Sequence, residues 1–396
     1  MGLNDTPSSE RVHIGFFGCT NRGKSSLVNA LTNQGVALVS DVRGTTTDVI
    51  RKAMEILPIG PCVIVDTAGF DDDTALGKER VRNTVKAMED VHAAVLVCDA
   101  SEGKTEKDRE IENLLSEKKI PYITVFNKAD EVSSREDGKF YVSAKTKEGI
   151  EELKKKLAEI IPAQSNKMRI VDSFVKKGDT VILVTPIDES APKGRIILPQ
   201  QNVLRNLLDI GATAIVLQPE NLESALSGLK EKPKCIITDS QVFATVSKMV
   251  PDGVLLTSFS ILFASYKGIL EDAVKAVAKI ESLSDGDKIL VAEGCTHHRQ
   301  CNDIGTVKIP AWIKKHTGKN IEFEFTSGKG FPEDLGDYAL VLHCGGCMIT
   351  EKEVLNRKEK AKEQGIPFTN YGIMIAYING ILKQSIEVFP EIYKMI

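Results

Sequence analysis

One stretch near the start, Gly18-Cys19-Thr20-Asn21-Arg22-Gly23-Lys24-Ser25, limits what this chain can fold into more than any other feature. It fits the pattern G-x-x-x-x-G-K-S, which works only where a strand delivers the chain into a glycine-rich turn and a helix leaves it. Such a turn wraps a phosphate with backbone N–H groups, and the helix N-terminus adds favourable partial charge. The apolar run RVHIGFF precedes the turn and KSSLVNALT follows it. The pattern therefore predicts a phosphate-binding loop at the carboxyl end of the first strand of an α/β sheet.

Further elements follow in order and at workable distances. Lys24 should reach the β- and γ-phosphates, the Ser25 hydroxyl should bind magnesium, and Gly23 and Ser26 belong to the same nucleotide-binding loop. Asp66-Thr67-Ala68-Gly69 ends an apolar run, so that its carboxylate can hold magnesium through water and the Gly69 amide can sense the γ-phosphate. Asn127-Lys128-Ala129-Asp130 ends another run. The Asp130 carboxylate can accept two hydrogen bonds from the N1–H and exocyclic amine of guanine, a donor pair that adenine lacks. Ser143-Ala144-Lys145 would close the base pocket, and Gly44-Thr45-Thr46-Thr47 would supply the first switch. Together these predict a GTPase domain. Asn21 in the loop, SSLVNAL after it and RGTTTD in the switch resemble the TrmE–Era branch of the translation-factor-class GTPases. That resemblance implies that Thr46 ligates magnesium and that Asn21 helps bind an activating potassium ion. Thr20 stands where that branch often has proline. Phe70 follows the Asp-Thr-Ala-Gly element, so no glutamine is in place to orient the attacking water, and the expectation is a slow, potassium-stimulated enzyme.

The runs RVHIGFF, CVIVD, AAVLVCD and YITVF read as buried strands, and the stretches between them read as amphipathic helices. Strict alternation implies a parallel sheet covered on both faces. IPAQSNKMR at 161–169 reads as a linker, after which alternation resumes through TVILVTP, TAIVLQP, KCIITD and GVLLTSF. This middle block has no ligand cluster, and scaffolding or self-association is the reading left to it. A third α/β block holds DKILVAEGC, a helix with Trp312, IEFEF, YALVLHC and a helix from about Glu351 to Gln364. The expected domains are 1–165 for GTP binding, 170–265, and 266–396. No internal repeat is apparent at this level. The net charge of −4 argues against nucleic-acid binding through bulk charge. No apolar run approaches the roughly 20 residues of a membrane span, and no export signal is evident, so the expected location is the cytoplasm.

In that compartment the eight cysteines are thiols or ligands rather than bridges. Cys19, Cys62, Cys98 and Cys235 are scattered and read as small buried hydrophobes. Cys295, Cys301, Cys344 and Cys347 crowd into one window with His297, His298 and His343. Cys295 and the Cys344–Cys347 pair each lie just past an apolar strand, where α/β sheets hold ligands. Zinc with a closed four-ligand shell and an iron–sulfur cluster on three thiolates both fit this spacing. Glu293 and Asp303 are nearby carboxylates that could fill a labile position.

The union of a TrmE–Era-type GTPase domain, a middle α/β block, and Cys-x-His followed after about 45 residues by His-Cys-x-x-Cys resembles the HydF family. These are the GTPase scaffolds of iron–iron hydrogenase maturation. The resemblance implies a dimerising middle domain, with a homodimer or higher homo-oligomer, and a C-terminal iron–sulfur domain. It implies a 4Fe–4S cluster on Cys295, Cys344 and Cys347 with one exchangeable corner. It further implies radical-SAM maturases that load a diiron precursor and an apo FeFe-hydrogenase that receives it, with no nucleic acid and no membrane involved. His297 and His343 hold the motif positions, and the expectation for both is to tune the cluster from outside its ligand shell. The competing reading is a TrmE–Era-like regulatory GTPase with a zinc-bound C-terminal domain, acting on the ribosome or RNA.

Overall fold

A computed structural model of the chain describes residues 8–32, 50–67, 70, 75–161, 170–187, 196–294, 303–328 and 330–396, the side chains of 75–80 excepted. The chain divides into two compact units, Met1–Ser165 and Asn166–Ile396.

The first unit is built on a five-stranded sheet of β1 (Val12–Phe17), β2 (Ile50–Ile56), β3 (Gly60–Asp66), β4 (Ala93–Asp99) and β5 (Tyr122–Asn127), in the order β2-β3-β1-β4-β5. Helices α1 (Lys24–Thr32), α2 (Ala75–Ala87), α3 (Glu106–Glu117) and α4 (Ile150–Ile160) connect and cover it. Successive residues of the central strands feed two separate cores. Ile64, Val95 and Val97 pack in one with Leu27, Leu31 and Leu153, whereas Val63, Leu96 and Cys98 pack in the other with Ile111 and Leu115. Burial on both faces is why these strands read as continuous apolar runs. The sheet is not wholly parallel as expected: β2 pairs antiparallel with β3 from Ile50↔Asp66 to Ile56↔Gly60. IRKAMEI is an exposed edge strand of mixed polarity, so it carries no apolar run to announce it.

The second unit contains two four-stranded parallel sheets. The first is β6 (Thr180–Val184), β7 (Thr213–Leu217), β8 (Cys235–Thr238) and β9 (Leu255–Ser258), in the order β7-β6-β8-β9. Its helices are α5 (Leu198–Ile210), α6 (Leu222–Gly228), α7 (Phe243–Val246), α8 (Phe259–Tyr266) and α9 (Leu270–Val277). The second is β10 (Lys288–Glu293), β11 (Glu322–Ser327), β12 (Leu340–His343) and β13 (Phe368–Asn370), in the order β11-β10-β12-β13. Its helices are α10 (Ile309–Thr317), α11 (Glu351–Glu363), α12 (Tyr371–Ile378), α13 (Leu382–Ser385) and α14 (Pro390–Tyr393).

The two sheets have the same strand order, and their registers superpose. Val184 faces Thr238 and Thr238 faces Ser258 in the first; Ala292 faces His343 and His343 faces Asn370 in the second. This is an internal repeat that reading the sequence along its length did not find. Once the register aligns them, TSFSILFASYKGIL (257–270) lies on TNYGIMIAYINGIL (369–382), with Thr, Ile, Ala and a closing Gly-Ile-Leu in common. Ser258 caps α8 by accepting from the Ile261 N–H, and Asn370 caps α12 by accepting from the Ile373 N–H. The halves also exchange the helices that begin at their shared Gly-Ile-Leu. Helix α9, which follows the first sheet, packs on β13 of the second, and α13, which follows the second, packs on β9 of the first. One continuous apolar core therefore runs through both halves.

Candidate functional site

The glycine-rich turn sits where the sequence requires it, between β1 and α1. Gly23 has φ +80°, and a Cβ there would stand 2.4 Å from Asn127 Nδ2, so both backbone freedom and the close approach of the base-binding strand demand glycine. Asn21 is exposed and also left-handed, with φ 61°. Lys24 is buried, its Nζ donating to the carbonyls of Gly18 (3.0 Å) and Cys19 (2.8 Å). The ammonium thus lies folded across the loop in which a phosphate would sit. Ser25 Oγ donates to Asp66 Oδ2 at 2.7 Å. Asp66 Oδ1 is buried with no hydrogen-bond partner. A hydroxyl and a carboxylate already joined, with one buried oxygen left over, suit a hard oxygen-seeking cation such as magnesium. The exposed Ser26 follows on the same helical turn.

The base-reading elements are joined to that loop. Asn127 Nδ2 donates to the Arg22 carbonyl at 2.9 Å, while its Oδ1 accepts from the Ala144 N–H at 3.1 Å. Lys128 is left-handed (φ 66°), and its Nζ lies 2.7 Å from Asp99 Oδ2. Burial opposes ionisation of Asp99, but the Lys128 and Ser101 hydrogen bonds outweigh it and hold the carboxyl down to about 2. Arg22, paired with Glu102 at 2.7 Å and 3.8 Å from the same carboxylate, ties this anion to the phosphate loop. Sequence reading passed over Asp99 and Arg22, because their roles show only once β4 lies between β1 and β5. Ser143 Oγ donates to Asp130 Oδ1 at 2.6 Å, and Lys145 Nζ lies 3.7 Å from Oδ2. The serine hydrogen bond and the nearby lysine lower the Asp130 pKa, which keeps the group an acceptor. Phe70 is buried. Thr46 and Gly69 lie outside the described residues.

At the other end of the chain, β10 and β12 are immediate neighbours, Ala292 pairing with His343. The Gly294 N–H donates to Cys344 Sγ at 3.1 Å, and the Cys344 N–H donates to the Ala292 carbonyl at 2.9 Å. Gly294, at the end of β10, is therefore in contact with the Cys344 sulfur. Cys295 itself, with His297, His298 and Cys301, lies outside the described residues. A second amide, Gly346 N–H, points at the same sulfur at 3.4 Å. Gly346 has φ +63°, and a Cβ there would meet Val354 Cγ2 at 3.0 Å, so the turn between the cysteines needs glycine. Cys344 and Cys347 are half-buried, whereas Cys19, Cys62, Cys98 and Cys235 are buried as expected. Burial raises the Cys344 thiol pKa, and the two amides oppose it. Hydrogen bonds from N–H to sulfur favour a thiolate, and hence a metal ligand. Among the described residues no group of three or more His, Cys, Asp and Glu is gathered as for a metal ion. Glu293 and Asp303 are buried, and Asp303 caps the following helical turn through the Thr306 N–H at 2.9 Å.

His343 is fully buried and stacked on Phe368, the ring centroids 5.5 Å apart. Its Nδ1 lies 2.7 Å from the Cys344 carbonyl, and its Nε2 lies 3.2 Å from Arg357 Nη1. Burial, reinforced by the Arg357 guanidinium, pushes its pKa down to about 3, so the ring is neutral.

Three family models match the chain. They are the 50S ribosome-binding GTPase over 13–128, the hydrogen maturase F dimerization domain over 170–268 and the hydrogen maturase F tetramerization domain over 271–388. The chain is 38% identical over 162 residues to the tRNA modification GTPase MnmE of Chromobacterium violaceum, covering 38% of this chain and 35% of that protein. It is 38% identical over 143 residues to GTPase Der of Nitratidesulfovibrio vulgaris, covering 35% and 29% respectively. The chain thus spans about a third of the length of the curated relatives it matches. A solved structure of Era from Aquifex aeolicus bound to GDP and aluminium fluoride covers 52% of this chain and 93% of that one at 18% identity. Its TM-score of 0.33 is too low to bear on the fold. The N-terminal unit is a GTPase domain, and its relatives imply GTP and magnesium as ligands. With that domain leading into two homo-oligomerisation domains of hydrogen maturase F, which together take up more than half of its residues, the chain belongs to the hydrogen maturase F (HydF) family.

Proposed function

We propose that this chain is an iron–sulfur scaffold that receives a diiron precursor and delivers it to apo FeFe-hydrogenase, with its GTPase domain controlling which partner is held. The observation that supports the reading is the Gly294 N–H on Cys344 Sγ, which joins the end of β10, one residue before Cys295 in sequence, to the sulfur that follows β12. Cys295, Cys344 and Cys347 would hold a 4Fe–4S cluster, and the donor set fits, with amide hydrogen bonds already directed at Cys344. Bound there, such a cluster supplies one iron whose fourth position is exchangeable, onto which the diiron cargo can dock. The chain's own part is to orient the thiols through the Gly294 and Gly346 amides and to limit water around the half-buried Cys344 and Cys347. The family match over 170–388 supports hydrogenase maturation rather than the zinc-tailed ribosomal reading, and radical-SAM maturases are the donors in this proposal. Iron and sulfide analysis after anaerobic purification tests it. About four irons per chain are expected, with loss in C295S, C344S and C347S; stoichiometric zinc in their place would overturn it.

In the GTPase domain, Lys24 would neutralise the phosphates, Ser25 and Asp66 would hold magnesium, and Gly69 and Thr46 are the residues proposed for the switch contacts. Asn21, exposed at the tip of the loop, would share a potassium ion that supplies the positive charge a glutamine-less site lacks. Turnover is then slow in sodium and faster in potassium, and N21A removes the difference; equal rates in both salts would end the assignment. Partner affinities that differ between GTP- and GDP-bound protein are expected, as a two-shape switch requires, with the cytoplasm as the place of action.

A further inference from the structure

The thiol loop is held from behind by a residue that no sequence motif singles out. Arg357, on α11, is 3% exposed and spends its donors in three directions. Its Nε and Nη2 donate to Glu353 Oε1 at 3.0 and 2.8 Å, and its Nη2 also donates to the Gly328 carbonyl at 2.6 Å. Its third branch, Nη1, meets His343 Nε2 at 3.2 Å. The guanidinium also lies over the Phe331 ring, 5.2 Å from its centroid. A guanidinium has only donors, so His343 Nε2 must accept. The ring proton is then on Nδ1, which donates to the Cys344 carbonyl at 2.7 Å. Both ring nitrogens are consumed, one by the arginine and one by the peptide of the thiol-bearing residue. The Cys344 N–H donates to Ala292 and its carbonyl accepts from His343, so the peptide groups on both sides of the Cys344 Cα are held.

We propose that Arg357 is a positioning residue for the thiol loop: through His343 it fixes the Cys344 peptide and thereby the direction of the sulfur, and His343 is not itself a ligand. This deepens the iron–sulfur reading above and rests on it for its consequence, since the ligand to be positioned is Cys344. Helix α11, the loop after β11 and the end of β12 are joined at this one guanidinium. A shift of α11 would therefore be felt at the sulfur.

The test uses the full-length chain in two arms. In the metal-free arm, alkylation of Cys344 by iodoacetamide is followed by mass spectrometry. R357M is expected to raise its rate about tenfold, R357K less, and E353Q, which leaves the arginine in place but loosens its anchor, least. H343N keeps an N–H donor at the δ position but offers Arg357 nothing at the ε position, so its rate should fall between wild type and R357M, whereas H343A should match R357M. Circular dichroism checks the fold, and should R357M not fold, R357K and E353Q carry the comparison. In the reconstituted arm, pulsed electron paramagnetic resonance of the reduced cluster should look the same in wild type and H343N, with no strongly coupled imidazole nitrogen lost. Unchanged alkylation across the Arg357, Glu353 and His343 variants would overturn the clamp, and loss of a strongly coupled nitrogen in H343N would make His343 a ligand. A wild-type chain that binds no iron would sink the iron–sulfur reading alone, because the alkylation arm contains no metal.

Discussion

The two halves of the second unit are one fold used twice with opposite chemistry at the same corner. At the end of β8 stand Thr238, Asp239 and Ser240; at the same places at the end of β12 stand His343, Cys344 and Gly345. The local architecture is kept. The Asp239 N–H continues the ladder to Val184 (3.3 Å) as the Cys344 N–H does to Ala292. Thr238 Oγ1 donates to the carbonyl of the next residue at 3.4 Å, the place where His343 Nδ1 makes its 2.7 Å bond. What differs is the reach of the side chain. A threonine hydroxyl ends at that carbonyl, whereas an imidazole has a second nitrogen that can be gripped from α11. The comparison teaches that the scaffold alone would not make the proposed cluster site. What sets this corner apart is its thiols and a ring long enough to link the Cys344 carbonyl to Arg357 on α11.

The sharpest way to break the comparison is to separate the halves. Residues 170–268 alone would leave β9 without α13, which packs on it from the other half. This fragment is expected to show no cooperative thermal transition by circular dichroism. A sharp transition would mean that the exchanged helices are dispensable. Next comes the place where the halves touch. Gly372 and its counterpart Ser260 face each other, and a Cβ on Gly372 would stand 2.3 Å from Ser260 Cβ. G372S should cost about 3 kcal/mol in urea unfolding, and the transposed double variant S260G/G372S should recover most of it. Failure of the double variant to recover would mean that the two positions are not interchangeable.

A smaller effect separates the caps. Asn370 holds the Ile373 N–H at 2.9 Å and also donates to the Ser260 carbonyl across the halves at 3.2 Å, whereas Ser258 makes its cap bond at 3.3 Å. N370A should cost about 2 kcal/mol and S258A about 1 kcal/mol. The smallest contrast lies one residue earlier. Thr369 Oγ1 donates to the Ala273 carbonyl at 2.8 Å, while the buried hydroxyl of its counterpart Thr257 has no partner. T369V should lose about 1 kcal/mol and T257V should be neutral or slightly stabilising, both read from denaturation midpoints. Equal losses would show that the hydroxyls do not distinguish the halves.

How much of this could be read in advance follows from where the information lies. The phosphate loop, Asp66, Asn127–Asp130 and Ser143–Lys145 were legible because each is a local pattern whose chemistry is fixed by a few adjacent residues. The buried strands were legible as apolar runs. The edge strand β2 was not, since half of it faces solvent and its pairing is set by β3 alone. The repeat was hidden for a different reason. Its two copies share register and caps, but Ser258 is matched by Asn370 and Phe259 by Tyr371, equivalences of role rather than of letter. Arg357 lay beyond any motif, because its partners His343, Glu353 and Gly328 come from three elements that only folding brings together.

The reciprocal exchange of α9 and α13 has a consequence for descent. Two separate copies of one such half could make the same contacts by each lending this helix to the other's last strand. Two copies joined end to end would keep every one of those contacts within a single polypeptide. One corner would then be free to acquire thiols while its twin kept an ordinary aspartate. The tandem arrangement has the form of a swapped pair held within one polypeptide, with thiols at one corner and Asp239 at the other.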